Sequence, residues 1–262
     1  MMQGGKRCTK GKSCGATCID PREDCILELG KPLSDALSKV QNTSQKKSNV
    51  QTTDYSQWNP VAQGNYGKVS INPEGTRAVK ELLTGKDGKK GEFGPHEVDL
   101  AKRMGERGHS PKIHSTSDKH IEMDVAKGAP LWKDYRRGEN EPVMNASQAT
   151  KAAAAIKDLH KMGFFHGDMH ALQFLVNNND VKLVDYGLSA PASSNPGRLM
   201  QDLSKINGLV NWKNPELAGT PYVKLVNKYL DQYKEIKGTS QAAKNKKAQL
   251  GENYLKELEQ LQ

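Results

Sequence analysis

The sequence predicts an α+β fold in two lobes, on three observations. Short β-type runs come first in the central part of the chain, and helix-dominated sequence follows them. That order reads as segregated strands and helices rather than alternating βα units. Third, only 35% of the 262 residues are apolar, which suffices for a core if the polar stretches are tails.

Composition excludes several classes. No uninterrupted apolar stretch approaches the ~20 residues that a membrane helix needs, so no membrane partner is expected. The first ten residues are basic but no apolar run follows, so no secretory leader is expected. The chain reads as cytoplasmic, with export as an effector a compatible alternative. Thirty-nine Lys and Arg stand against 30 Asp and Glu, a formal +9. Residues 1–60 carry 9 basic and 6 acidic side chains, residues 221–262 carry 8 and 5, and the remainder carries 22 and 19. The excess is thus spread evenly. A phosphate-tracking protein concentrates Lys and Arg on one face, so a nucleic-acid partner is not expected.

Residues 1–37 hold all four cysteines, Cys8, Cys14, Cys18 and Cys25, and the 237 residues after Cys25 have none. A disulfide framework for the whole fold would spread them, so their role is local. Four thiolates could hold one tetrahedral Zn²⁺, with Gly11 and Gly15 supplying turns. Two short disulfides in an oxidising compartment and free thiols in a tail are the competing readings. Residues 38–57 are rich in Ser, Gln, Asn, Thr and Lys; they bury too little area to offset ordering entropy and read as a flexible linker.

In the central domain, 58–220, strands are expected at Val69-Ser70-Ile71, Ala78-Val79-Lys80, His120 to Val125, Phe174-Leu175-Val176 and Val181 to Val184. A helix over 145–162 has Ala149, Ala152, Ile156 and Leu159 on its apolar face. Asn145 or Ser147 caps its start and Gly163 ends it. A second helix is expected at 95–104, with Pro95 at its beginning and Gly105 after it. Residues 221–262 form basic C-terminal helices broken at Gly238-Thr239-Ser240. Tyr222, Val226, Tyr229, Tyr233 and Ile236, then Leu250, Tyr254 and Leu258, recur at helical spacing as packing stripes.

Four segments carry chemistry. Gly64-Asn65-Tyr66-Gly67-Lys68-Val69 lies between two strands, where glycines let backbone amides approach phosphate. Lys80 sits inside an apolar strand, where a lysine usually points to solvent; a functional one would need a carboxylate partner, for which Glu97 is the candidate. His166-Gly167-Asp168-Met169-His170-Ala171-Leu172-Gln173 packs a carboxylate, an imidazole and an amide into a tight loop between rigid elements. Val181 to Val184 leads into Asp185-Tyr186-Gly187, an acid at the end of a buried strand.

In this order and spacing the segments resemble the protein-kinase-like superfamily, over roughly residues 60–210. The resemblance implies a small, mainly β N-lobe and a reduced helical C-lobe, beside the Cys-containing N-terminal segment. It implies that Gly64, Gly67, Val69 and Ala78 contact ATP and that Lys80 meets its α and β phosphates while pairing with Glu97. Glu97 is preferred to Glu92 because it opens a continuous helical pattern, whereas Glu92 is flanked by Gly91 and Gly94. Met123 would line the back of the adenine pocket, with the Asp124 carbonyl and Ala126 amide holding the base. Asp168 matches the catalytic carboxylate, and His170 would donate to the moving phosphoryl. Asp185 and Gln173 match the ligands of Mg²⁺, for which Mn²⁺ could substitute.

Several positions depart from the family pattern. Ala62 stands where the first loop glycine is usual, and Tyr186 replaces Phe. Gln173 replaces Asn, adding a methylene that shifts its oxygen by ~1.5 Å toward a metal that demands near-ideal octahedral geometry. Gly167 replaces the Arg that receives a phosphorylated activation segment, and only 14 residues separate Gly187 from Asp202, with no Ala-Pro-Glu. Asp202 resembles the helix acid that anchors the catalytic loop. This short form is similar to RIO-type kinases, aminoglycoside-type phosphotransferases and compact bacterial effector kinases. The expected function is an ATP- and Mg²⁺-dependent Ser/Thr protein kinase with Asp168 as base. A protein substrate or partner would dock on the basic C-terminal helices. A pseudokinase acting as an interaction module and a small-molecule kinase are the alternatives.

Overall fold

A computed structural model describes residues 12–14, 17–19, 53–64, 67–85, 88–131, 144–212 and 215–261, with backbone alone at 12–14, 17–19 and 129–130. The chain divides into two compact units, Met1–Thr53 and Asp54–Gln262. In the first, β1 (Lys12–Cys14) and β2 (Thr17–Ile19) pair antiparallel, Cys14 opposite Thr17 and Cys18 opposite Ser13. Cys8 and Cys25, the side chains of Cys14 and Cys18, and residues 38–52 of the expected linker lie outside what is described. The zinc, disulfide and free-thiol readings fall there.

The second unit mixes β and α structure. Its principal sheet has five strands, β3 (Asn59–Gln63), β4 (Gly67–Ile71), β5 (Arg77–Leu82), β6 (Ile113–Thr116) and β7 (His120–Asp124). They are ordered β3-β4-β5-β7-β6 and every neighbouring pair is antiparallel. Central β5 buries Ala78 and Val79. Pro60 sits on edge strand β3 beside an irregularity in the pairing, a position that tolerates the missing N–H. Residues 54–57, the end of the expected linker, turn back on this sheet: the Tyr55 ring lies 5.0 Å from His120 and its hydroxyl donates to Glu122.

Helix α1 (Glu97–Glu106) follows β5. Gly105 lies inside it rather than beyond its end, because a Cβ there would approach the Pro111 carbonyl oxygen to 2.7 Å. The glycine admits the returning chain; Gly108, at φ +77°, makes the turn. Helix α2 (Ala146–Lys161) starts with a capping box in which Asn145 and Gln148 each accept the other's backbone N–H, and Gly163 follows at φ +79°. Around it lie a three-stranded sheet ordered β11-β10-β8 (Asp180–Leu183, Phe174–Asn177, Ala129–Pro130) and the pair β9 (Phe164–Phe165) with β12 (Ala190–Pro191).

Five further helices are present among the described residues: α3 (Gly197–Lys205), α4 (Asn207–Val210), α5 (Pro215–Ala218), α6 (Pro221–Glu235) and α7 (Gln241–Gln260). Most of the stripes of α6 and α7 are buried: Tyr222, Val226, Tyr229, Leu250, Tyr254 and Leu258 join Ile156, Leu159, Leu199 and Leu203 in one core, with Tyr233 and Ile236 half-buried against it. No described helix is long and apolar enough to cross a membrane.

The capping box predicts that Asn145→Ala lowers unfolding free energy by about 1 kcal/mol. Urea titration of the two proteins checks this; an unchanged midpoint would show that α2 is held by packing alone.

Candidate functional site

A cavity of about 550 Å³ is lined on one side by β3–β5 and β7 and on the other by β10, β11 and the turns that flank them. Val69, Ala78, Lys80, Glu97, Met123, Asp124, Ala126, Gln173 and Asp185, all singled out from the sequence, line it together. Gly67 sits beside the Lys80 stem, 3.8 Å from its Cε to a Cβ built on the glycine. The Gly64 amide donates to the Gly67 carbonyl at 2.8 Å, closing the turn; Asn65 and Tyr66 lie outside the described residues.

Lys80 is the electrostatic centre. Register sets its Cα opposite Val69 and Ile121, and its Nζ donates to Glu97 Oε1 at 2.5 Å and Asp185 Oδ1 at 2.9 Å. Burial works against the ammonium, but the Asp185 and Glu97 carboxylates outweigh it and hold its pKa above the ordinary lysine value. Burial likewise opposes the Asp185 carboxylate, and Lys80 overrides it, leaving the acid below its ordinary range. Glu97 is aimed by its own helix start, where its Oε2 accepts the Gly94 amide at 3.0 Å. Gly94 in turn packs so tightly that any Cβ would collide with the Gly187 carbonyl. Asp185 has φ +65°, a strained value that Asp tolerates better than most residues.

Asp168 and His170 stand at the edge of this group, outside the residues that line the cavity, and Gln173 connects them to it. The Leu172 amide donates to His170 Nδ1 at 3.3 Å, which leaves the neutral ring's proton on Nε2. His170 Nε2 lies 3.3 Å from Asp168 Oδ2 and 3.1 Å from Gln173 Nε2, and Gln173 Nε2 donates to the same carboxylate oxygen at 3.1 Å, so the three side chains form one cluster. One carboxylate oxygen is therefore held twice. His170 is turned to Asp168 here, and Gln173 reaches the same acid.

Asp202 on α3 is 1% exposed, and its two oxygens accept the backbone amides of His166 (2.6 Å) and Gly167 (3.2 Å). Gly167 has φ +84° and lies against Leu188 so closely that a Cβ would strike its carbonyl oxygen. No longer side chain fits. Ser110, which the sequence did not mark, is the main addition to the site. Its hydroxyl donates to the Leu183 carbonyl at 2.6 Å and meets the Tyr186 hydroxyl at 2.6 Å, both groups buried. Its only signal was its place in a polar Gly-His-Ser-Pro turn after a helix, which any loop could carry. Burial pushes the Tyr186 hydroxyl well above its ordinary pKa, so it acts as a neutral hydrogen-bonding group.

The donor set suits a hard divalent cation. Asp185 commits one oxygen to Lys80, its side chain is half exposed, and Gln173 lines the same cavity. Mg²⁺ commonly takes one or two carboxylates and completes its shell with phosphates and water. Among the described residues no three His, Cys, Asp or Glu side chains are grouped for a metal, so protein side chains would supply only part of such an ion's shell. No protein-family model and no curated protein matches the chain.

His166 gives the site a measurable pH dependence. Burial lowers its pKa below the ordinary 6.5, so folding favours the neutral ring. Its contribution is complete above the unfolded value and is lost as pH falls toward the folded one. Unfolding free energy should decline as pH falls below about 6.5, the unfolded value, and a His166→Gln variant should decline less steeply. Parallel slopes in urea titrations across that range would refute the assignment.

Proposed function

We propose that residues 58–220 form a two-lobed protein-kinase-like domain that transfers the γ-phosphoryl group of ATP to a Ser or Thr hydroxyl of a protein. The observation that carries this reading is the junction of Lys80 with both Glu97 and Asp185 on the wall of one cavity, with Asp168 tied in through Gln173. Phosphoryl transfer requires chiefly positioning and charge neutralisation, and these side chains supply both. Lys80, steadied by Glu97, would meet the α and β phosphates. The apolar walls at Val69, Ala78 and Met123 suit a nucleobase. The Asp124 and Val125 amides are committed to Lys112 and Thr76 carbonyls, which leaves the Ala126 amide as donor to the base and the Asp124 carbonyl as acceptor from it.

Mg²⁺ or Mn²⁺ bound by Asp185 and the Gln173 carbonyl would neutralise phosphate charge. With Oδ2 of Asp168 held by His170 and Gln173, Oδ1 is the oxygen that receives the acceptor proton. The acceptor oxygen bonds to the γ-phosphorus as the bond to the β-phosphate oxygen breaks and ADP leaves.

Two features favour a polypeptide acceptor over a polycationic small molecule. Residues 188–201 contain no Asp or Glu, and Leu188, packed on Gly167 beside Asp168, is 66% exposed. An acidic pocket is the usual match for a polycation. The exposed Lys224, Lys244 and Lys246 of α6 and α7 remain for partner docking. Gly94 against Gly187 supports constitutive assembly, and Gly167 removes the receiver of an activation-segment phosphate.

Labelled ATP with Mg²⁺ or Mn²⁺ and a panel of Ser/Thr-containing proteins tests this. Transfer should fall by roughly 10²-fold or more in Asp168→Asn, in keeping with loss of a positioned base, and comparably in Lys80→Ala and Asp185→Asn. Equal background in all four proteins would reject catalysis and leave a pseudokinase. Transfer only to small hydroxylated molecules would reject the protein acceptor.

A further inference from the structure

We infer that Tyr254 of α7 is a positioning residue for the catalytic loop, acting through His160 and Asp202. As a statement about catalysis this rests on the kinase reading above. Asp202 uses one oxygen each for the amides of His166 and Gly167, the two residues that lead directly into Asp168. Its neighbour on the far side is His160, whose Nε2 lies 3.6 Å from Asp202 Oδ2. The other ring nitrogen, Nδ1, lies 3.0 Å from the Tyr254 hydroxyl, and that hydroxyl lies 3.5 Å from the hydroxyl of Tyr222. His160 and Tyr254 have no exposed surface.

Proton placement makes Tyr254 more than filler. His160 Nε2 is buried without a partner at hydrogen-bond distance, and the group facing it is a carboxylate. A lone pair there would be set against negative charge in the interior, which is costly; a proton there is attracted. With the proton on Nε2, the neutral ring's Nδ1 is an acceptor and requires a donor. The Tyr254 hydroxyl has one proton, and His160 at 3.0 Å is a closer acceptor than Tyr222 at 3.5 Å. Tyr254 thus fixes the tautomer, the tautomer keeps an N–H toward Asp202, and Asp202 holds the loop.

Backbone contact sets the position of that hydroxyl. A Cβ at Gly251, one helical turn before Tyr254, would collide with the Pro196 carbonyl at the start of α3, and one at Gly197 would come within 3.3 Å of the Lys247 backbone. Helix α7 is therefore registered directly on the helix that carries Asp202. The C-terminal helices, expected from sequence as a partner surface, also close the polar chain behind the proposed base.

The test uses Tyr254→Phe in the full chain, which keeps the ring and removes the hydroxyl. Hydrogen exchange at the His166 and Gly167 amides should accelerate about tenfold while exchange in α1 stays unchanged. In the transfer assay, kcat should fall about 3- to 10-fold with KM for ATP within about twofold. Adding Tyr254→Phe to a His160→Leu variant should produce no further change, since the pathway is already cut. Unchanged exchange at 166 and 167, or equal acceleration throughout the unit, overturns the inference. If the parent transfers no phosphate at all, the kinase reading fails, and the exchange measurement still decides whether Tyr254 holds the loop.

Discussion

The Lys80 ammonium, held between the Glu97 and Asp185 carboxylates, is the interaction on which the arrangement of the site depends. Three elements that are remote in sequence each contribute one charge to it: a central strand, the start of α1 and the turn after β11. Breaking such a group by removing one partner leaves a part-buried charge uncompensated, so each element constrains the other two. The shifts in Lys80 and Asp185 have the same origin, since mutual attraction exceeds the cost of desolvation for both. Backbone contact between Gly94 and Gly187 closes the distance across which the charges act.

Behind that junction, buried hydrogen bonds do for the loops what the ion pairs do for the elements. Ser110 binds both the Leu183 carbonyl and the Tyr186 hydroxyl, tying the segment after α1 to the turn that carries Asp185. Asp202 plays the corresponding part for residues 166 and 167. Such groups are expensive when unsatisfied and directional when satisfied, which makes them effective at fixing irregular backbone. Apolar packing supplies the mass of the helical region, but it is non-directional and would not by itself aim a carboxylate.

Much of the local structure was legible in the sequence. The capped helix at 145–162, the strand carrying Lys80 and the helix opening at Glu97 each have a signal confined to a few neighbouring residues: a side-chain cap, a short apolar run, a continuous helical pattern after Pro95. The preference for Glu97 over Glu92 as the lysine's partner could be made because glycines flank only Glu92. Gly105 was misplaced because a glycine that ends a helix and one that admits a crossing chain look alike without the chain that crosses. The final residues of the expected linker were read from polarity, yet Tyr55 finds an aromatic partner and a carboxylate on the sheet.

By itself, the sequence determined that strands and helices are mixed in one α+β unit, the apolar stripes of α6 and α7, and a spaced set of Lys, Glu, Asp and Gln residues. These follow from periodicity, capping and charge, properties of residues within one or two turns of each other. The strict order of strands before helices does not hold, since α1 lies between β5 and β6 and α2 precedes β9 to β12. Tertiary structure alone decided that Lys80 serves two acids at once, that His170 and Gln173 share one oxygen of Asp168, and that Ser110 meets Leu183 and Tyr186, and Tyr254 meets His160, far from them in the chain. The physical reason is range: a hydrogen bond or ion pair acts over about 3 Å, and only the folded chain brings residues 80 and 185, or 160 and 254, within it.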